Sequence, residues 1–135
     1  GQVARVPLTV DEATHEGLLD LETHSEAYAF TMDCNGPSSL RVDAEGSLSG
    51  VAACGLDVFD SLYTVEVTIS GTMDANGGAA GEVVVGVWGL ADTASATWTA
   101  TAAADGSLSI PVQLEGLFSG GAVSFDGVYE ATPLP

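Results

Sequence analysis

From Leu62 to Glu130 apolar and polar residues alternate so regularly that an antiparallel β-sheet is the natural fold. Tyr63, Val65, Val67 and Ile69 interleave with Thr64, Glu66, Thr68 and Ser70, the period of two that buries one face of a strand. Asp74-Ala75-Asn76-Gly77-Gly78 turns the chain, and Gly81 to Trp88 runs back. The pattern repeats through Trp98, the turn Asp105-Gly106 and Leu108-Ile110-Val112-Leu114. It closes with Ser119-Gly120-Gly121 and Val123-Phe125-Tyr129. Three hairpins in succession are predicted.

The upstream chain extends this sheet. Residues 1–10 read as a strand with Ala4, Val6, Leu8 and Val10 on one face. Pro7 cannot donate to a ladder, so this strand is expected at an edge, or exchanged with a neighbouring subunit. Residues 11–25 hold both histidines among acids and predict an acidic loop with one helical turn capped by Asp11. Residues 26–132 form the β-meander. Within it Tyr28, Phe30, Met32 and Cys34 share a face, and Asn35-Gly36-Pro37 signals a turn. Leu40 and Val42, then Leu48 to Cys54, make the next hairpin.

The tips Asp43 to Gly50, Asp74 to Gly81 and Ala103 to Ile110 resemble one another at spacings of about thirty residues. Each fits a hairpin turn in which Gly supplies positive φ. The prediction is an all-β domain, an antiparallel meander of about eight or nine strands. Its apolar face can be hidden in a β-sandwich or an up-and-down barrel. Pro111 inside a strand asks for an edge or a bulge and weighs against perfect closure.

The segments Gly46 to Gly50 and Glu82 to Ala100 locally resemble the hairpins of avidin-type barrels. The likeness rests on turn residues and tryptophan positions and covers under a third of the chain. It supports a β-meander and transfers no site residue.

Charge narrows the function. There are 19 acidic residues and two basic ones, for a net charge of -17 in 135 residues, with no lysine. Nothing in such a chain replaces counterions on phosphate, which excludes nucleic-acid binding. An anionic membrane surface is equally unsuited, and the longest apolar run, Val83 to Ala91, is too short to insert across a bilayer as a helix. The two cysteines, Cys34 and Cys54, predict one disulfide. A disulfide, an absent initiator Met and the lack of an apolar leader predict a processed extracellular or cell-surface protein.

Candidate sites are sparse. His15 and His24 with Glu16, Asp20, Glu22 and Glu26 are a conceivable metal set, but their spacing forces no convergence. The Asp-Gly tips lack the alternating oxygen ligands and closing Glu of a calcium loop. No metal or other cofactor is therefore expected. No G-x-S-x-G elbow is present, neither histidine has an obvious nucleophile partner, and an enzyme is not expected. Trp88, Trp98, Tyr63 and Phe125 are the candidate ligand contacts, against ordinary core packing.

Two functions follow. One is a secreted non-enzymatic structural module that self-associates through sheet edges, a filament subunit completed by exchange of the strand Ala4, Val6, Leu8, Val10. The alternative is a monomeric β-barrel holding a small apolar or carbohydrate ligand.

Overall fold

The computed structural model describes residues 13–134. They form eight antiparallel strands: β1 (Ala13–Ser25), β2 (Phe30–Val42), β3 (Ser47–Val58), β4 (Ser61–Met73), β5 (Gly78–Val87), β6 (Thr93–Thr101), β7 (Leu108–Phe118) and β8 (Gly121–Pro133). All belong to one sheet in the order β6-β5-β4-β3-β2-β1-β8-β7. Because β8 returns beside β1, the meander curls into a nearly closed barrel. The strand Ala4, Val6, Leu8, Val10 lies outside the described residues.

Alternation decides which side faces in. Leu19 and Leu21 of β1, Val65, Val67 and Ile69 of β4, Val83 and Val85 of β5, Ile110 and Val112 of β7, and Phe125 and Tyr129 of β8 are buried inside. Glu16, Asp20, Glu22, Asp33, Asp126 and Glu130 point outward and are exposed. A polar outer wall around an apolar interior is the reverse of a barrel that faces lipid.

The seam lies between β6 and β7. They are consecutive in sequence, yet no ladder joins them. Pro111 pairs with Val128 of β8, and its missing N–H falls on a strand whose other edge meets the seam. Side chains close what hydrogen bonds do not. A Cβ built on Gly116 would stand 2.5 Å from the Ala94 Cβ, so the two strands press together near one end.

Two expectations are corrected. Residues 13–25 are not part of an acidic loop but strand β1, paired with β2 from Ala13↔Val42 to Ser25↔Phe30 and with β8. Its inward row includes His15, Thr23 and Ser25, so apolar alternation is diluted. Neighbouring carbonyls take hydrogen bonds from these polar side chains, leaving only His15 Nδ1 without a partner. Thr23 Oγ1 donates to the Met32 carbonyl at 2.8 Å, Ser25 Oγ to Ala122 O at 2.7 Å, and His15 Nε2 meets Gly106 O at 3.1 Å. Asn35-Gly36-Pro37 is likewise no turn; it runs through the middle of β2 opposite Asp20, Leu19 and Leu18. Pro37 instead marks where the β2–β3 ladder stops, at Ser38↔Ala52.

Beyond that stop a covalent link takes over. Cys34 and Cys54 form a disulfide with Cα atoms 5.4 Å apart, and both cysteines are buried. It fastens β2 to β3 where backbone pairing has lapsed.

Candidate functional site

Each strand reverses the chain, so alternate turns gather at opposite ends of the barrel. One end holds the β2–β3, β4–β5 and β6–β7 turns. There Asp43 Oδ1 accepts the amides of Glu45 and Ser47, both at 2.9 Å. Asp74 Oδ1 accepts those of Asn76 at 2.9 Å and Gly78 at 3.0 Å. Asp105 accepts the Ser107 amide at 2.9 Å, and hydrogen bonds from the Ser107 backbone and side chain hold its carboxyl below the usual range. Gly46, Gly77 and Gly106 supply the positive φ. These carboxylates are engaged by their own turns.

The other end has different chemistry. Each of its four turns carries or directly follows an aromatic: Tyr28, Phe59, Trp88 and Phe118, the last residue of β7, about thirty residues apart. Among the described residues all four non-glycine positions with positive φ lie here: Ala29 (54°), Phe59 (51°), Asp60 (67°) and Ser119 (55°). Phe59 and Asp60 are the two central residues of the β3–β4 hairpin, where Asn-Gly would be the relaxed choice. A bulky aromatic in the left-handed region is strained, and Phe59 is held there with 73% of its surface in solvent.

Between these turns the barrel opens into a cavity of about 260 Å³. Tyr28 and Phe30 line it from the first hairpin, and Leu56, Val58, Phe59, Ser61 and Tyr63 from the second. Val87 and Leu90 come from the third, Phe118, Ser119, Val123 and Phe125 from the fourth. Phe118 and Phe125 pack edge to face with centroids 5.7 Å apart in its lining. Tyr28 is fixed by its hydroxyl, which donates to Phe118 O at 2.6 Å and Ser119 O at 2.9 Å. Its ring lies over Gly121, where a Cβ would come within 2.6 Å, so only glycine admits it. Asp92 Oδ2 accepts the Ser119 amide at 2.8 Å and ties the third turn to the fourth across the seam. Leu62, Trp88 and Leu117 are exposed on the outer wall at the same end, apolar surface of the kind that marks binding surfaces.

The sequence candidates divide. Tyr63 and Phe125 meet in this cavity. Trp88 stands outside the wall, exposed, with Nε1 3.4 Å from the Glu66 carboxylate. Trp98 is buried lower in the barrel opposite Gly81 and donates to Glu82 O at 3.1 Å, so it is core. His15 and His24 sit on opposite sides of β1. His15 points inward with Nδ1 buried and unpartnered, and His24 pairs outside with Thr31 Oγ1 at 2.6 Å. Among the described residues no three of His, Cys, Asp and Glu come together as a metal set.

Tyr28 was read only as part of a strand face, and Phe59, Leu90 and Phe118 were not singled out. For the three aromatics the signal was an aromatic at or beside every second turn, set against the Asp-Gly tips at the turns between. No protein family, curated protein or solved structure matches this chain.

Proposed function

We propose that the protein is an extracytoplasmic, non-enzymatic binding barrel that takes a small apolar ligand at its aromatic end. The observation that carries this is the segregation of strain. The three turns at the Asp-Gly end use only glycine for positive φ, whereas the opposite end, besides Gly89 and Gly120, holds the non-glycine residues Ala29, Phe59, Asp60 and Ser119 in that region. Unrelieved strain beside an open apolar cavity is the pattern of a site kept for recognition rather than stability. A 260 Å³ cavity exceeds the roughly 150 Å³ that accommodates benzene and suits a two-ring aromatic or a short branched chain. The lining offers few free polar groups, which favours an apolar ligand over a sugar. The disulfide fits an oxidising compartment.

The test is titration with the neutral fluorescent probe N-phenyl-1-naphthylamine. Saturable binding with a blue-shifted emission is expected, and Ser61→Trp, which places an indole at the opening, should weaken it. Absence of saturable binding to the wild type would reject the reading.

Self-association remains a second proposal because of the seam, where β6 and β7 each present an edge without a ladder. A strand such as residues 2–10 of a neighbour could add there. Light scattering of the full chain and of one lacking residues 1–10 tests it. Large species lost on truncation support exchange, and a monomeric full chain rejects it.

A further inference from the structure

We infer that the ligand of the aromatic mouth is neutral or cationic, and that the site rejects organic anions of the same size. The inference rests on the binding-barrel reading and adds the charge class of the ligand. Three of the four mouth turns place a carboxylate within two residues of a cavity-lining side chain. Glu26 precedes Tyr28, Asp60 lies between Phe59 and Ser61, and Asp92 follows Leu90. All three residues are exposed.

Among the described residues no lysine or arginine at this end offsets them. Among the described residues the only Lys or Arg is Arg41, which pairs with Thr14 and Ser49 toward the Asp-Gly end. His24 is the one imidazole near the mouth, on the outer wall and hydrogen-bonded to Thr31.

The physical consequence is asymmetric. An apolar body gains its affinity from the cavity whatever its head group. Its head must stay at the opening, because the buried Phe118, Val123 and Phe125 of the lining offer no polar side chain and burying a charge against them is costly. At the opening a cation meets three carboxylates and the net charge of the whole chain, -17, while an anion meets repulsion from all of it. Asp92 spends one oxygen on the Ser119 amide, but hydrogen bonding leaves its charge in place.

The experiment uses three ligands sharing one naphthalene body: 2-naphthylmethylamine, 2-naphthalenemethanol and 2-naphthoate. Affinities are measured by calorimetry at pH 8, in low salt and again in high salt. The amine is expected to bind at least tenfold more tightly than the naphthoate at low salt, with the alcohol between. High salt should shrink the ratio to about twofold or threefold, since exposed charges are screened. The double variant Glu26→Gln/Asp60→Asn should shrink it at low salt and leave the alcohol unchanged.

The two ways of failing are separable. If the alcohol binds and the naphthoate binds within twofold of the amine, the charge inference is overturned and the ligand reading stands. If none of the three binds, both are overturned.

Discussion

The strain at Phe59 can be measured as a difference between two substitutions. A non-glycine residue in the left-handed region costs about 1–2 kcal/mol, and asparagine is one of the few that visits it readily. Phe59 is 73% exposed. It therefore buries about a quarter of an aromatic side chain, roughly 50 Å², worth about 1.3 kcal/mol. Phe59→Ala forfeits that burial and keeps most of the backbone strain, so it should destabilise by about 1 kcal/mol. Phe59→Asn forfeits the same burial but relieves the strain, so it should melt close to wild type. The Asn–Ala gap is then about 1 kcal/mol, or about 3–4 °C in Tm for a chain of this length. Thermal melts by circular dichroism give the stabilities, and the neutral naphthylamine probe gives the binding. Both variants should lose affinity to a similar degree, because both remove the ring from the rim. Equal melting of the Asn and Ala variants, or a more stable Ala variant, would refute the claim that Phe59 is strained. Unchanged affinity in both would detach that strain from the cavity.

Further expectations concern the scaffold. Reducing the Cys34–Cys54 bond, which closes a separation of 20 residues, should cost about 3 kcal/mol on the chain-entropy account. That lowers Tm by about 10 °C, whereas a Cys34→Ala/Cys54→Ala variant should not respond to reductant; equal melting of the wild type with and without reductant would contradict this. Burial raises the Tyr129 phenol well above the ordinary tyrosine value, and its hydroxyl is held as a donor to Ser39 O. The neutral form is thus favoured in the fold. Its stabilisation is complete below about pH 10 and is lost above it at about 1.4 kcal/mol per pH unit. Absorbance titration should find one of the three tyrosines ionising only as the protein unfolds, and Tyr129→Phe should remove that late step. Trp98→Ala should cost about 3–5 kcal/mol as a buried aromatic, while Trp88→Phe should stay within about 0.5 kcal/mol of wild type and remove the red-shifted emission of an exposed indole.

The fold was legible wherever one strand face is uniformly apolar. Val65, Val67 and Ile69, or Ile110 and Val112, announce themselves by their period. Pro111 pointed to an edge, and the edge is there as the β6–β7 seam. The strand β1 was hidden because His15, Thr23 and Ser25 occupy its inward row. What makes them acceptable inside is a set of carbonyl partners on β2, β8 and the β6–β7 turn, two of them more than ninety residues away in sequence. Asn35-Gly36-Pro37 carried the local signs of a turn, but pairing with β1 on one side and the disulfide on the other hold it extended. At the site, Tyr63 and Phe125 were found because they lie on strong strands. Trp88 and Trp98 misled because tryptophan signals burial or recognition without saying which face it occupies. Phe59 was missed because an aromatic at the tip of a tight hairpin runs against turn chemistry, and that conflict was itself the clue.

Strand parity gives this barrel two ends that vary independently. A change at Glu26–Ala29, Phe59–Asp60, Trp88–Asp92 or Ser119–Gly120 reaches only the mouth, because the Asp-Gly turns lie a full strand length away. The mouth is therefore a natural place to randomise for new specificities, with the distal turns held constant as a frame. Duplicating one unit of two strands and two turns would widen the barrel while adding one tip to each end. A pocket built this way can be enlarged or retuned in whole hairpins without either end acquiring the chemistry of the other.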